Sequence, residues 1–355
     1  MNNIREYLRN HSNPKILIVQ PSRMGDIIFA LPAVTEIKNK YPNIHISWIA
    51  DERCADIIKD NPLIDELIVF DRTHITIPYL KQMYRKLRDQ KFDLSIDFHG
   101  LFKSAFIVKM AGAKFKLASS STNGMRELSW LFSKEIKPET INTHCIERHL
   151  AVAKYLGCDV DVNNLNYSLY IDEKYILEVK EILKKENIDL NKKIILIHPG
   201  GGWISRRWQS KKFAQIIDLI NNNFDAAVIL IGGKEGGASE KGLDEEIISL
   251  SKTKKIKNLT GKLSLKQLMA IFKLTNLFLA NEAGPMHIAT ALKVPAIAIL
   301  GPTDAKRTGP FKGNTTIIQK KVSCQPCRNR TCTKVDCMKL ISVEEVFEEI
   351  KRKLQ

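Results

Sequence analysis

Short apolar runs alternate with longer amphipathic stretches through the first half of the chain. Buried strands are predicted at KILIVQ, HISWIA, ELIVF and FDLSIDFHG, because these runs have the length and composition of core strands. Helices are predicted between them, at about Asp26 to Lys40, ERCADIIKDN and PYLKQMYRKLRDQ. Alternation of this kind is typical of parallel strands with crossover helices, so the first half is predicted to be a doubly wound α/β domain.

A second alternation begins at KKIILIHPGGG and ends at PAIAILGP, which is predicted as the final core strand. Before it, residues 119–143 are predicted as loop with short helix, and DVDVNNLNYSLYID is predicted to connect the two domains. The predicted domains are 1–170 and 171–340. A helix at 341–355 follows them, and in one possible arrangement it packs back toward the first domain. Two consecutive doubly wound domains predict a ligand site in a cleft between them.

The composition is that of a globular protein, with 44% hydrophobic and 26% charged residues among 355. No apolar run reaches 18 residues, and the start MNNIREYLRNHSNP lacks the apolar core of a secretory signal, so a cytoplasmic location is predicted. The net charge of +16 indicates an anionic partner, although a lysine-rich composition alone would also produce it. Arginines are not interleaved with aromatic residues, so nucleic acid is not a predicted partner.

A glycine-rich turn follows the first strand of the second domain. The segment HPGGGWISRRW places Gly200, Gly201 and Gly202 where their backbone can approach a ligand closely. Arg206 and Arg207 add charge that suits phosphate oxygens. The third glycine of a dinucleotide fingerprint is missing, and a tight turn with two surface arginines explains the segment about as well.

The segment NEAGPMHIATAL predicts a second ligand-binding turn. A strand exits into Glu282, Ala283 and Gly284, and Pro285 begins a helix whose exposed N–H groups suit an anion. We expect Glu282 to bond the neutral hydroxyls of a sugar or ribose, and His287 to donate to phosphate or sugar. The alternatives are an acid favoured by the helix dipole and a histidine satisfied in the core.

Two further turns belong to the same predicted edge of the sheet. Glu235 follows AAVILIGG at the distance typical of a ribose-binding acid, although it could equally be a loop acid. Thr260 stands at the carboxyl end of the next predicted strand. Four polar, glycine-containing turns at one edge of a parallel sheet predict a nucleotide site.

Asp26 follows Gly25 at the junction of two apolar runs in the first domain. One glycine and an acid make a poor phosphate cradle but a good position for a general base that faces a ligand. A helix N-cap is an alternative of about equal weight. Arg23 could orient the carboxylate or hold an acceptor anion.

Four of the seven cysteines fall in one short segment: Cys324, Cys327, Cys332 and Cys337. Four thiolates could hold a structural zinc ion. Only the first pair has the spacing of a zinc finger, so reduced thiols or one oxidised pair are the alternatives. No other metal or cofactor is predicted to be required.

Together these motifs resemble the ADP-heptose lipopolysaccharide heptosyltransferases, glycosyltransferase family 9. The matching segments, in the family's order from residue 15 to about 340, are ILIVQPSRMGDIIFALPAV, FDLSIDFHGLFKS, ERHLAVAKYLG, IHPGGGWISRRW, LTGKLSLKQLMAI, NEAGPMHIATAL, ILGPTD and CQPCRNRTC. The resemblance implies the GT-B architecture, in which two Rossmann-like domains face each other across a cleft. The first domain would bind the acceptor and the second the nucleotide-sugar.

The resemblance also implies an inverting transfer. A base deprotonates the acceptor hydroxyl, which attacks the anomeric carbon as the nucleoside diphosphate leaves. Asp26 stands at the family's acid/base position and Arg206 at that of the residue that neutralises the leaving diphosphate. Gly284 and His287 match donor-binding positions, whereas Glu282 and the alanine after it replace the family's common Asp-Ser or Asp-Thr.

The implied partners are ADP-heptose and an anionic lipid-linked saccharide, with Kdo or heptose on lipid A as acceptor. Peripheral contact with the inner face of the inner membrane is expected, since the chain is basic. Arg23, His99 and Lys103 are candidate acceptor contacts. Three other functions are weighed: a related transferase with another donor or acceptor, a nicotinamide-dependent dehydrogenase, and a non-catalytic sugar-nucleotide-binding protein.

Overall fold

The computed structural model describes residues 2–120, 131–139, 143–233, 242–327 and 329–355. The chain divides into two compact units, Met1–Tyr170 and Ile171–Gln355. Each unit contains a six-stranded sheet whose paired strands run parallel. The predicted fold class, α/β with two doubly wound parallel sheets, is confirmed.

The elements of the first unit alternate between strand and helix. Its strands are β1 Lys15–Val19, β2 His45–Asp51, β3 Glu66–Phe70, β4 Leu94–Asp97, β5 Phe115–Ser119 and β6 Lys134–Ile136. Its helices are α1 Asn2–Asn10, α2 Met24–Lys40, α3 Glu52–Ala55, α4 Ile77–Asp89, α5 Phe102–Ala111 and α6 Cys145–Tyr155.

The first sheet has the strand order β3-β2-β1-β4-β5-β6, which is the Rossmann order. Val19, at the end of β1, lies opposite Ile49 of β2 and Asp97 of β4. From β1 at the centre, β2 and β3 are added on one side of the sheet, and β4, β5 and β6 are added on the other side. Ligands of open α/β sheets bind at the carboxyl ends of the strands beside such a reversal. The turns after β1 and β4 therefore position the site of this unit.

The core of the first unit lies against both faces of its sheet. The last four residues of β1 are fully buried, as are most residues of α2, so this helix lies in the interior and not on the surface. Helices α4 and α5 pack on one face, where Met83, Leu87, Ile107 and Val108 contact a cluster that includes Leu17. Burial on both faces explains why the central strands are continuous apolar runs.

The second unit repeats the pattern. Its strands are β7 Lys193–His198, β8 Ala226–Leu230, β9 Ile256–Asn258, β10 Leu277–Asn281, β11 Ala296–Leu300 and β12 Thr315–Gln319. Its helices are α7 Glu173–Lys185, α8 Ser210–Asn223, α9 Leu243–Leu250, α10 Leu265–Ile271, α11 Gly284–Ala291, α12 Ala305–Thr308, α13 Asp336–Lys339 and α14 Val343–Leu354.

The second sheet has the order β12-β11-β10-β7-β8-β9, which is again the Rossmann order with its reversal between β7 and β10. The unit continues beyond residue 340 because α14 is part of its core. Val343, Val346, Ile350 and Leu354 of this helix are buried in the same cluster as residues of β7, β10 and β11. Ser342 caps the helix by accepting the backbone N–H of Glu345 at 3.1 Å.

Three predicted features differ in the structure. The segment ERCADIIKDN forms only the single turn of α3, followed by hydrogen-bonded turns. The strand at PAIAILGP is not the last, because β12 follows it at the edge of the sheet. Helix α2 begins at Met24, ahead of the predicted start at Asp26, with Arg23 at the N-cap.

A buried histidine makes the first unit sensitive to acid. His149 of α6 is buried, its Nδ1 lies 3.0 Å from the Ser119 hydroxyl, and its ring packs edge-on against Phe98. Burial, with a smaller effect of the nearby Arg148 charge, lowers the pKa of His149 to about 3. As the pH falls below the ordinary value near 6.5, the unfolded chain therefore takes up the proton first, and stability is lost.

Between pH 7 and pH 5, we expect the free energy of unfolding of the wild type to fall by about 2 kcal/mol more than that of His149→Gln. Urea titrations at a series of pH values measure this difference. The exposed His11→Gln is the matched control. Parallel pH profiles for the wild type and His149→Gln would contradict the prediction.

Candidate active site

Asp26 lies in the first turn of α2, directly after the carboxyl end of β1. Its Oδ2 accepts a hydrogen bond from the Ser22 hydroxyl at 2.9 Å, and the Gln20 amide donates to its backbone carbonyl at 3.2 Å. Arg23 occupies the N-cap position without a side-chain cap bond, so Asp26 is not the N-cap residue. Ser22 is buried and Asp26 is half-buried, so the carboxylate is fixed at the edge where a ligand is expected.

The turn after β4 is organised by Asp97, which the sequence analysis did not single out. Its carboxylate accepts two backbone N–H groups, including that of His99 at 2.9 Å, and the Ser104 hydroxyl at 2.8 Å. Burial raises the pKa of Asp97 to about 6, although these hydrogen bonds oppose the rise. The turn carries His99 and leads to Lys103, and it lies beside the Asp26 turn because β4 pairs with β1.

The three candidate acceptor contacts thus follow adjacent strands: Arg23 and His99 lie on the turns, and Lys103 lies in the first turn of α5. Arg23 and Lys103 are exposed and His99 is half-buried. Two further basic residues, Arg53 and Arg72, were missed. Their Nε atoms lie 2.9 Å and 3.2 Å from the carboxylate of Asp51, which is buried at the end of β2. The two Nε atoms approach different oxygens of this carboxylate, so both guanidinium groups are held at this edge of the sheet.

In the second unit, Asn281 joins the two turns at the strand reversal. It ends β10, which pairs with β7. Its amide donates to the Pro199 carbonyl at 2.6 Å, and its side-chain oxygen accepts the Trp208 backbone N–H at 3.1 Å. Asn281 is fully buried, so the turns after β7 and β10 form one connected structure. Its only signal in the sequence is its place at the end of a strand before Glu282.

The glycines of the first turn leave room for a ligand. None of Gly200, Gly201 and Gly202 has a positive φ, so their backbone conformation does not require glycine. A Cβ at Gly201 would meet only ordinary contacts from 3.7 Å, and one at Gly202 would meet nothing within 4 Å. The fold therefore does not require glycine at Gly202, and the turn leaves open space there that a ligand could occupy.

Arg206 and Glu282 meet at this edge. Arg206 lies at the end of a short 3-10 turn, Ile204–Arg206, and its guanidinium stacks 3.7 Å from the centre of the Trp203 ring. Its Nη1 is 3.5 Å from Oε1 of Glu282, whose other carboxylate oxygen accepts the Thr303 hydroxyl. Burial raises the pKa of Glu282, while the Arg206 charge and the Thr303 hydrogen bond lower it. The carboxylate therefore orients Arg206, a contact that sequence reasoning missed.

Helix α11 places its donor-binding candidates beside this pair. Ala283 is its N-cap, Gly284 its first residue, and His287 lies half-buried at the end of the first turn. On the other side of β7, Thr260 packs against the turn after β8, since a Cβ at Gly232 would lie 3.1 Å from its methyl carbon. Glu235 lies outside the described residues.

The four clustered cysteines are free thiols, and Cys337 is buried. Burial and the neighbouring thiols of Cys324, Cys327 and Cys332 raise the pKa of Cys337. Among the described residues, no group of three or more His, Cys, Asp or Glu side chains is arranged to hold a metal ion. The predicted zinc site stays a prediction.

Comparison with known proteins identifies the family. The model of glycosyltransferase family 9 (heptosyltransferase) matches residues 80–337. The chain belongs to glycosyltransferase family 9. The resemblance noted in the sequence is thereby confirmed, and this family 9 chain is a glycosyltransferase.

Relatives match this family 9 chain over nearly its whole length. Lipooligosaccharide heptosyltransferase 2 of Campylobacter jejuni is 28% identical over 347 residues, covering 95% of this chain and 98% of the relative. A family 9 glycosyltransferase from Veillonella parvula has a TM-score of 0.81 at 21% identity, covering 96% and 97% of the two chains. Escherichia coli heptosyltransferase WaaC, solved with ADP, has a TM-score of 0.73 at 20% identity, covering 96% and 99%.

Proposed function

We propose that this enzyme transfers a heptose from ADP-heptose to an inner-core sugar of lipopolysaccharide, Kdo or heptose on lipid A. The observation that carries the proposal is the Arg206–Glu282 pair beside the open glycine turn, at the strand reversal of a family 9 enzyme. A guanidinium at this position suits a diphosphate. The name of the Campylobacter relative and the ADP in the WaaC structure support the same donor and acceptor classes.

The second unit would bind the donor. Arg206 would pair with the diphosphate and stabilise the charge that builds up as ADP departs. The N–H groups of the glycine turn and of the α11 N-terminus would bond phosphate oxygens. Glu282 would hold Arg206 in place, and His287 would donate to the donor. Thr260, Ala283 and Gly284 would line the same site, and Glu235 stays a predicted ribose contact.

The first unit would bind the acceptor and supply the base. Asp26 would take the proton of the acceptor hydroxyl while that oxygen bonds to the anomeric carbon. The bond from this carbon to the diphosphate oxygen breaks, its electron pair leaves with ADP, and the configuration inverts. Arg23, His99 and Lys103 would bind the anionic acceptor. No metal or cofactor is needed in this scheme.

The acceptor class also implies a location. None of the described helices is long and apolar enough to cross a bilayer. We propose that the enzyme works in the cytoplasm, at the inner face of the inner membrane, where a lipid-linked acceptor would be available. Its net charge of +16 supports attraction to anionic lipid.

A thermal-shift panel of ADP, UDP, GDP and NAD tests the donor. We expect ADP at about 100 times its Kd to raise the Tm of the second unit's transition by several degrees, and NAD to have little effect. ADP release and mass spectrometry of Kdo-lipid A incubated with ADP-heptose then test transfer. Stabilisation by UDP or GDP alone would mean that the donor is a sugar nucleotide of uridine or guanosine and not ADP-heptose. Stabilisation by NAD alone would overturn the proposed function.

A further inference from the structure

The first unit exposes large apolar side chains in one region. On α4, α5 and the loop before α4, five such residues are 40% or more exposed: Ile75 51%, Ile77 72%, Tyr84 45%, Phe102 49% and Phe106 40%. Together with the basic residues of the two helices they are called the α4–α5 surface. Single exposed apolar residues are ordinary, but several of them on two helices that pack side by side indicate a contact surface.

The topology brings these residues together. Helices α4 and α5 follow the parallel strands β3 and β4, so both begin at the carboxyl edge of the sheet. The two helices pack on the same face, since Met83 of α4 and Ile107 of α5 share one buried cluster. Near their far ends, the Arg88 guanidinium lies against Gly112. Their first turns, which carry Ile77 and Phe102, therefore lie at the edge that also holds the Asp26 turn.

The α4–α5 surface is also strongly basic. Its exposed charged residues are Lys81, Arg85, Lys86, Arg88, Asp89, Lys103 and Lys109, so six are basic and one is acidic. Lys86 has a partner in Glu66 at 3.4 Å. On α5 the exposed positions read Phe102, Lys103, Phe106 and Lys109, whereas the positions between them are buried. Aromatic rings thus alternate with lysines along one face of this helix.

We propose that the α4–α5 surface docks this enzyme on a bilayer that contains anionic lipid. Apolar side chains would enter the boundary of the acyl chains while lysines and arginines pair with headgroup phosphates. A protein partner fits less well, because the centres of protein interfaces are depleted in lysine. The inference rests on the proposed function for one point: docking at the carboxyl edge would bring a lipid-linked acceptor to the turn that holds Asp26.

Flotation of the full chain with vesicles tests the surface directly, without substrate. Vesicles of phosphatidylethanolamine with phosphatidylglycerol supply negative charge, and phosphatidylcholine vesicles lack it. We expect binding to the anionic vesicles only. Lys81→Glu with Arg85→Glu should weaken binding at least about 25-fold, given roughly fivefold for each basic residue lost near a membrane. Ile77→Ser with Phe106→Ser should weaken it by about tenfold as well.

The matched controls lie on the second unit. Lys180→Glu with Lys184→Glu changes the same charge, and Leu177→Ser with Leu250→Ser removes exposed apolar side chains of similar size. All variants change exposed residues, and their Tm values report whether each one folds. Equal losses for test and control pairs, or equal binding to neutral vesicles, would overturn the proposal.

A second arm separates this inference from the proposed function. Transfer of heptose to a Kdo acceptor without acyl chains should be unchanged in the Ile77→Ser, Phe106→Ser variant, whereas transfer to Kdo-lipid A in anionic vesicles should fall about tenfold. Loss of vesicle binding without such a fall would contradict delivery of the acceptor by this surface. If the wild type transfers heptose to neither acceptor but the vesicle results hold, the proposed function fails and the surface stands.

Discussion

The Asp26→Asn variant is expected to lose about 10²–10⁴-fold in kcat while binding ADP as tightly as the wild type. The asparagine side chain has nearly the same shape but cannot accept the proton of an acceptor hydroxyl. Asp26 is half-buried, and its carboxylate is already fixed by the buried Ser22 at 2.9 Å, so little else should change. Steady-state release of ADP measures kcat, and calorimetry measures ADP affinity.

Three variants separate catalysis from stability. Asp26→Ala should lower kcat as Asp26→Asn does, and both variants should lose about 0.3–1 kcal/mol in stability, because only a charged acid in the first turn is stabilised by the helix dipole. Ser22→Ala should lower kcat less, since it frees the carboxylate to rotate without removing it. The exposed Asp56→Asn controls for loss of an acid near the same edge. A kcat within threefold of wild type for Asp26→Asn would exclude Asp26 as the base.

The central strands of both sheets could be predicted because they are buried on both faces. β1, β7, β10 and β11 are continuous apolar runs, and such a pattern arises when helices cover both sides of a parallel sheet. The edge strands carry less of this signal. β12 has a single buried position and β6 has only three residues, so both were missed. β5, which holds a lysine in its second position, was missed for a related reason.

The turns of the candidate site could be predicted from the sequence, but the contacts between its residues could not. Glycines and polar residues at the ends of apolar runs indicated where a ligand would bind, because that signal is local in sequence. The bonds from Asn281 to Pro199 and from Glu282 to Arg206 join residues far apart in the chain, and no local pattern predicts them. The start of α2 at Met24 was misplaced because its N-cap residue, Arg23, makes no side-chain cap bond and is not a typical capping residue.

Arg206→Ala is expected to weaken ADP binding by about 10- to 100-fold, the usual effect of losing charged hydrogen bonds. The same change should also destabilise the second unit, because Glu282 is 6% exposed and loses the positive charge that offsets its burial. With Arg206 removed, burial raises the pKa of Glu282 further, so its protonated form is favoured in the folded state. The stability deficit relative to the wild type should therefore grow as the pH rises through the folded-state pKa of Glu282 in the wild type, which burial already holds above the ordinary 4.5.

The double variant Arg206→Ala with Glu282→Gln distinguishes these two consequences. A neutral amide can still bond to Thr303, and it needs no cation, so most of the lost stability should return. ADP binding should stay weak, since the residue that would contact the diphosphate is still absent. Arg330→Ala is the matched control: this exposed arginine lies 4.8 Å from the same Trp203 ring, and its loss should lower ADP affinity less than about threefold. If ADP bound the Arg206→Ala variant as tightly as wild type, the diphosphate would have to lie elsewhere on the sheet edge. Weak ADP binding by the double variant, whose stability is restored, would instead indicate that Arg206 contacts the diphosphate.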